Sequence, residues 1–224
     1  MRSRVLTQYG AILAPKIVLF LLKTGISFRF IEECTSSRQH RTAERVDRMQ
    51  TIDILRANKN TYGEVRRFYH SLIDSLSPER RYVGWKKDIY PSPAFLRSSI
   101  DNGDLYVCRD EGRIAGAMVL NHEYNESYKS CHWQTAVDDS ALLVIHALGV
   151  HPDFQRKGCA KAMVQKAIAI AGETGMKAIR LDVLAGNIPA ENLYQGMGFQ
   201  YLTSVQMYYE DTGWTDFKLY EYVL

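Results

Sequence analysis

A polar turn with the sequence Gln-Arg-Lys-Gly-Cys-Ala, residues 155–160, separates an apolar strand-like run from a segment with helical apolar spacing. The first N–H groups of a helix lack intrahelical partners, and the helix dipole adds partial positive charge there. Gly158 lets a ligand approach the backbone, and Arg156 and Lys157 add charge. The pattern predicts a site for phosphate or pyrophosphate. A solvated helix start with a glycine kept for steric reasons is the alternative.

Other chemistry is less consistent with the sequence. The turn matches neither a P-loop nor a dinucleotide-binding glycine pattern. A helix N-terminus lowers a thiol pKa, so Cys159 is a conceivable nucleophile, but the G-x-S-x-G elbow of serine hydrolases is absent. The histidines at 122, 132, 146 and 151 do not form a recognised metal-ligand pattern, and we predict no metal site.

Apolar periodicity predicts the elements that position this turn. Helices are predicted over 61–76, 79–88, 90–103 and 158–171, with a short one inside 187–199. The helix after residue 90 has Ser92 as N-cap and Pro93 at its first position. Strands are predicted over 51–57, 104–110, 114–121, 141–150, 178–186, 200–211 and 215–224, and residues 122–138 form a loop. Helices alternating with a mixed sheet predict one α/β or α+β domain.

A second pattern lies downstream of the turn. It consists of Asn187, Ala190, Leu193, Tyr194, Gly198 and Phe199, in the spacing N-x-x-A-x-x-L-Y-x-x-x-G-F. Together with Q-x-x-G-x-A at 155–160 and the preceding Leu-Gly-Val-His-Pro at 148–152, it resembles the GCN5-related N-acetyltransferase (GNAT) family, in its small, bacterial, single-domain form. The resemblance covers residues 51–224. It implies a mixed sheet of six to seven strands, splayed around acetyl-CoA and flanked by helices.

The resemblance also implies roles for the cofactor-binding residues. Main-chain amides of the turn, from Gln155 through Arg156, Lys157, Gly158 and Cys159 to Ala160, would hold the pyrophosphate of acetyl-CoA. Leu148, Gly149 and Val150 would bind the pantetheine arm in the manner of an added strand. Asn187 would bind the same arm or only cap the following helix. Cys159 stands where the family has an inward-facing aliphatic residue, which favours packing over catalysis.

Two residues are candidates for catalysis. Tyr194 matches the family tyrosine that protonates the departing thiolate, with a core aromatic as the alternative. His146 lies on a strand similar to that of arylalkylamine N-acetyltransferases, where a histidine helps to deprotonate the amine. A hydrogen-bonded sheet histidine is the alternative.

The resemblance implies direct transfer of an acetyl group to a primary amine, and we expect a small molecule as the acceptor. Residues 61–100 and 122–138 would wall its site, with Trp85, Asp88, Tyr90 and Tyr124 as candidates. Asp88, Glu123 and Glu126 are candidates for attracting a cationic amine, but a solvated surface is the favoured interpretation for each. A peptide or protein N-terminal acetyltransferase and a non-catalytic acyl-CoA sensor are the other functions considered. A homodimer stays an open alternative.

Charge divides the chain into two parts. Residues 1–48 contain nine Lys/Arg and four Asp/Glu, a net +5, whereas residues 49–224 contain 19 and 21, a net −2. The larger part therefore lacks the basic footprint of a nucleic-acid-binding domain. The four scattered cysteines of the whole chain, Cys34, Cys108, Cys131 and Cys159, favour a reducing compartment, and we expect a cytoplasmic protein.

The first 48 residues form a predicted extension. Arg2 and Arg4 precede an apolar stretch, as in a signal sequence, but Pro15 and Lys16 interrupt it. An upstream extension, a weak targeting or membrane-associating segment and a part of the fold all remain open. No run of uncharged apolar residues is long enough for an ordinary transmembrane helix, so no firm membrane association is expected. Met49 is a candidate for the true start of the 49–224 domain.

Overall fold

The computed structural model describes residues 52–76 and 84–224. The predicted extension over 1–48, its boundary at Met49 and the first part of the predicted 79–88 helix lie outside these ranges. Residues 84–88 form no helix, but a turn closed by a bridge between Lys86 and Tyr90. The other predicted helices and strands are present.

The elements follow in an order that alternates strands and helices. They are β1 (Asp53–Arg56), α1 (Tyr62–Asp74), α2 (Pro93–Asp101), β2 (Leu105–Asp110), β3 (Arg113–Asn121), β4 (Leu142–Val150), α3 (Cys159–Glu173), β5 (Ala178–Leu184), α4 (Ile188–Gly196), β6 (Gln200–Tyr209) and β7 (Gly213–Val223). Short 3-10 turns cover Lys59–Thr61, Glu126–Ser130, Asp139–Ala141 and Pro152–Phe154. The N-cap prediction for α2 is confirmed, since Ser92 Oγ accepts from the Phe95 amide at 3.1 Å.

The strands form one sheet in the order β1-β2-β3-β4-β5-β7-β6. All neighbours are antiparallel except β4 and β5, which run parallel. This is the predicted mixed α/β sheet, with seven strands.

Successive side chains of a strand lie on opposite faces of the sheet, so the sheet separates two hydrophobic cores. On one face, α3 and α4 pack over Leu143, Ile145 and Leu181. On the other face, α1 and α2 cover the β1–β4 half, with Val107, Ala117 and neighbouring side chains. The loop after β3 covers the rest of this face, where Tyr128 packs on β6 and β7.

A buried ion pair fastens that loop to the sheet. Arg180 on β5 donates from Nε to Glu221 on β7 at 2.9 Å and from Nη2 to the Thr135 carbonyl at 2.7 Å. The same carboxylate accepts from the Gln134 amide at 2.8 Å. Because every charge has partners, the pair can stay buried and hold the loop in place.

Candidate active site

The predicted anion-binding turn has an open, exposed backbone. Gly158 precedes α3 with φ of 90°, and Arg156 also lies in the left-handed region with φ of 63°. The first α3 amide bonded within the helix is that of Ala162, which donates to the Gly158 carbonyl at 2.9 Å. A Cβ atom built on Gly158 would meet only Ile52 Cδ1, at 3.8 Å. The turn therefore leaves the amides at the start of α3 accessible to an anion.

Two side chains of the turn are already engaged. Lys157 Nζ lies 2.9 Å from Asp110 Oδ2, so its charge is partly neutralised. Cys159 is buried, with its Sγ 4.0 Å from Met163 Sδ. A hydrogen bond with Cys108 and burial together raise the pKa of the Cys159 thiol. A buried, protonated thiol packs rather than attacks, as the sequence indicated.

A gap between β4 and β5 lies next to this turn. The two strands are paired only from Leu142↔Ala178 to Val144↔Arg180. Beyond that point, the β3–β4 register shifts between Ala117 and Val119, and Ala147 takes φ of 49°. This β-bulge turns β4 away from β5. Tyr69 from α1 fixes the bulge, because its hydroxyl donates to the Ala147 carbonyl at 2.8 Å.

The gap exposes backbone donors. The His151 amide donates to the Ala115 carbonyl of β3 at 2.9 Å, and Gly149 stands opposite Ala117. Alternation along an antiparallel ladder therefore directs the amides of Leu148 and Val150 away from β3, toward the gap. An extended ligand arm would find strand-like partners there.

A cavity of about 300 Å³ occupies the gap and continues to the α1–α2 face of the sheet. Its walls are mainly aromatic and acidic. They include Trp85, Tyr90, Phe95, Glu123, Tyr124, His146, Asp182, Tyr194, Tyr209 and Asp211. Within the described ranges, no lysine or arginine lines it.

Tyr194 reaches the cavity from the α3–α4 side of the sheet. Its ring packs on Phe199 at 5.5 Å between centroids, and the side chain is 6% exposed. Burial, with a smaller effect from Asp182, raises the pKa of its phenol. In the part of the chain that the structure describes, its hydroxyl has no hydrogen-bond partner. The ring of Tyr194 thus packs in the core, while the residue also lines the cavity.

Asn187, at the start of α4, also lines the cavity. Its Oδ1 accepts from the Ala190 amide at 3.3 Å, so it caps the helix. The capping alternative is therefore realised, and the side-chain NH₂ group is left for a ligand.

His146 lies on β4 just before the bulge. Its Nε2 is 3.0 Å from the Glu123 carbonyl, and because a carbonyl only accepts, Nε2 carries the hydrogen. Burial lowers the pKa of the imidazole from 6.5 to about 4. His146 is therefore neutral at pH 7, and only Nδ1 can accept a proton.

Asp182 is a site residue that the sequence prediction missed. If the β4–β5 register continued across the gap, Asp182 would stand opposite His146. Its Oδ2 accepts from Tyr128 at 2.8 Å and from Tyr209 at 3.1 Å. Burial raises the pKa of this carboxyl group. The available signal was a carboxylate inside the otherwise apolar run 181–184, since buried charges need partners or a function.

Three of the four predicted wall residues, Trp85, Tyr90 and Tyr124, line the cavity, but Asp88 does not. Arg66 donates to Asp88 at 2.9 and 2.8 Å, and His70 is 3.0 Å away. These hydrogen bonds lower the pKa of Asp88 to about 2, so this carboxylate already has an ion-pair partner in Arg66.

Of the two glutamates predicted to attract a cationic amine, one lines the cavity and the other does not. Glu123 lines the cavity, whereas Glu126 pairs with Lys129 at 2.8 Å. Among the described residues, no group of three or more His, Cys, Asp or Glu could hold a metal ion. No helix in those ranges is long and apolar enough to cross a membrane.

Comparison with known proteins identifies the family. Residues 66–199 match the Acetyltransferase (GNAT) family. The chain therefore belongs to the GNAT acetyltransferases, as its two motifs and its splayed sheet indicate.

Two curated relatives are only partly covered by the chain. An uncharacterized N-acetyltransferase from Methanocaldococcus jannaschii is 27% identical over 127 residues, 54% of this chain and 52% of its own length. The ribosomal protein bS18-alanine N-acetyltransferase of Escherichia coli is 30% identical over 100 residues, 43% of this chain and 66% of its own. The chain thus spans between half and two thirds of these relatives.

Solved structures share the fold. An N-acetyltransferase from Staphylococcus aureus Mu50 superposes with a TM-score of 0.58 at 17% identity, over 78% of this chain and 99% of the other. Arabidopsis thaliana NAA60 in complex with acetyl-CoA gives 0.56 at 18% identity, over the same shares. At such identities the likeness concerns the fold alone.

Proposed function

We propose that the protein is an acetyl-CoA-dependent N-acetyltransferase that acetylates a primary amine of a small molecule. The observation that carries the proposal is the gap between β4 and β5. The predicted anion-binding turn follows the end of β4, and a cavity with aromatic and acidic walls fills the gap. A phosphate-bearing donor and a cationic acceptor can therefore meet through the sheet.

The chain offers a matching surface for acetyl-CoA. Amides at the start of α3 would bind its pyrophosphate, and the positive φ at Gly158 keeps that backbone open. The amides of Leu148 and Val150 would bind the pantetheine arm, and the NH₂ group of Asn187 would assist. When bound, the cofactor supplies an acetyl thioester.

The acceptor must lose a proton before it can react, and two side chains of the cavity could take it. His146 is a weak acceptor, because burial lowers its pKa to about 4. Asp182 is the stronger candidate, because burial raises the pKa of its carboxyl group. We assign proton removal to Asp182, directly or through water, and retain His146 as the alternative.

Tyr194 would donate its proton to the departing thiolate. Burial raises its pKa, so the phenol stays fully protonated at neutral pH. It reaches the cavity from the α3–α4 side, whereas Asp182 is held by Tyr128 and Tyr209 on the opposite face. Proton acceptor and proton donor would thus act from opposite sides of the gap. Transfer would need no covalent enzyme intermediate.

The walls favour a small cationic acceptor. Aromatic faces and carboxylates together attract an alkylammonium group, and a cavity of about 300 Å³ limits the size of what enters. A peptide N-terminus is the second candidate, because an outer groove lined by Ile73, Leu76 and Thr215 continues from the cavity. The E. coli relative is a ribosomal-protein acetyltransferase, which agrees with that alternative.

Thiol release from acetyl-CoA over a panel of small amines and free N-terminal peptides tests the proposal. We expect turnover with small primary amines, and a large loss in Tyr194→Phe. Tyr208→Phe is the matched control, because Tyr208 is 55% exposed on β6. Turnover with peptides only would replace the small-molecule assignment. Cofactor binding without thiol release on any acceptor would identify a sensor instead.

A further inference from the structure

Asp211 is a buried carboxylate at the mouth of the cavity. It lies in the turn between β6 and β7, is 5% exposed and lines both the cavity and the outer groove. No described residue forms an ion pair with it or donates a side-chain hydrogen bond to it. Burial raises the pKa of its carboxyl group. The backbone amides of Asp211 and Thr212 and the charge of Lys86 oppose this rise. A nearly buried carboxylate that faces a cavity without an ion pair can take a cationic group of a ligand as its partner.

The segment before α2 packs against this turn. A Cβ atom on Gly84 would come within 2.3 Å of Thr212 Cγ2 and 3.5 Å of Leu184 Cδ2. Gly84 and Thr212 are thus in close contact, and only a residue without a side chain fits there. The neighbouring Trp85 lines both the cavity and the groove. Asp211 therefore stands at a narrow passage between the two spaces.

Asp182 is a second, partly buried carboxylate of the same cavity. Both of its hydrogen bonds go to Oδ2, and no described residue hydrogen-bonds to Oδ1. Tyr90 lines the same cavity as the two carboxylates. After burial, the charges of Asp182 and Asp211 are the main causes that raise the pKa of its phenol. One cavity thus contains two carboxylates near a common tyrosine.

Building on the proposed function, we propose that the acceptor is a compact diamine. Its reacting amine lies at Asp182, and its second ammonium group lies at Asp211. A single ammonium group would leave either Asp182 or Asp211 without an ion pair, whereas Glu123, the third acidic residue of the wall, is exposed to solvent. A zwitterion would bring a carboxylate against one of them.

The charges beyond Asp211 limit the length of this acceptor. Lys86 and Lys87 line the outer groove, and Lys87 pairs with Asp74. Lys86 acts on the carboxyl group of Asp211 by its charge. A third ammonium group past Asp211 would approach these lysines. The site therefore selects two cationic groups rather than a longer polyamine.

Steady-state acetylation tests the inference with three series of matched chain length: linear α,ω-diamines, the corresponding monoamines and the corresponding ω-amino acids. We expect the best diamine to exceed its monoamine in kcat/KM by about tenfold, as for one charge-assisted hydrogen bond, and the amino acid to be poorest. Asp211→Asn should remove most of the diamine advantage. Asp216→Asn, which removes an exposed carboxylate from the same hairpin, should keep it.

Equal kcat/KM for diamines and monoamines in the wild-type protein would overturn the inference while leaving the proposed function intact. An unchanged ratio in Asp211→Asn would do the same. If that variant does not fold, Asp211→Ser takes its place. The wild-type kcat/KM values must also be higher for diamines than for the ω-amino acids, and the opposite order would overturn the inference. Turnover confined to peptides, or no thiol release at all, would overturn the small-molecule proposal together with the inference.

Discussion

Acidification should destabilise the protein through His146. The imidazole is held neutral in the folded chain, because Nε2 donates to the Glu123 carbonyl and burial lowers its pKa to about 4. In the unfolded chain the same group has its ordinary pKa of 6.5. As pH falls from 6.5 to 4, the unfolded chain binds a proton that the folded chain does not. Stability is therefore lost on that descent.

The size of this loss follows from the interval between the two pKa values. Each unit corresponds to about 1.4 kcal/mol, so the whole interval amounts to about 3.5 kcal/mol, of which about 3 kcal/mol is lost by pH 4. That is a large share of the roughly 5–15 kcal/mol that stabilises an ordinary domain.

Urea unfolding of the wild-type protein and of His146→Gln, over a series of pH values, measures the effect. Glutamine keeps an N–H donor but does not titrate. The difference in unfolding free energy, wild type minus variant, should fall by about 3 kcal/mol between pH 7 and pH 4. His132→Gln, which changes an exposed histidine, should show no such trend. A wild-type-minus-His146→Gln difference that stays constant over this range would refute the burial argument.

The same pKa bears on catalysis. If His146 took the proton of the acceptor, its limb in the kcat/KM profile would lie near pH 4, not near neutrality. A limb at higher pH that survives His146→Gln but disappears in Asp182→Asn would identify the carboxylate as the base.

Three further substitutions test separate parts of the site and the fold. Tyr194→Phe should lower kcat by about 100-fold or more with acetyl-CoA affinity nearly unchanged, because only proton donation is lost; equal kcat values would exclude the acid role. Gly158→Glu should abolish acetyl-CoA binding in calorimetry. Gly158→Ala should retain binding and lower the free energy of unfolding by about 1 kcal/mol, because alanine is strained at the positive φ of this position. Normal binding by the glutamate variant would exclude the pyrophosphate site. Glu221→Gln should lower the free energy of unfolding in urea by about 3 kcal/mol, because Arg180 is left buried without its countercharge. An unfolding free energy equal to that of the wild type would contradict the role of this ion pair in stability.

The sequence predicts well whatever depends on neighbouring residues. The helices, the strands and the turn at 155–160 follow from apolar spacing, capping residues and glycine position, which act over a few residues. The two motifs add the family, because their joint spacing is specific. The inward packing of Cys159 was predicted in the same way and agrees with its burial.

Side-chain partners from distant elements could not be predicted. Lys157 contributes less free charge than expected because Asp110 of β2 reaches it, 47 positions away. Asp88 is excluded from the cavity wall because α1 presents Arg66 and His70 to it. Asp182 becomes a site residue only when tyrosines at 128 and 209 close around it. Each result depends on tertiary packing, which local patterns do not contain.

The gap in the sheet explains why these distant partners meet at one place. A single bulge at Ala147, fixed by Tyr69, ends the β4–β5 pairing after three residue pairs. Because the helices on the two faces come from different parts of the chain, the opening joins two independently built surfaces. One provides the predicted anion-binding turn and Tyr194, and the other provides the acidic and aromatic walls. Substitutions in the acidic and aromatic wall, at positions such as Asp211, can therefore change the acceptor without altering the surface that includes the turn and Tyr194.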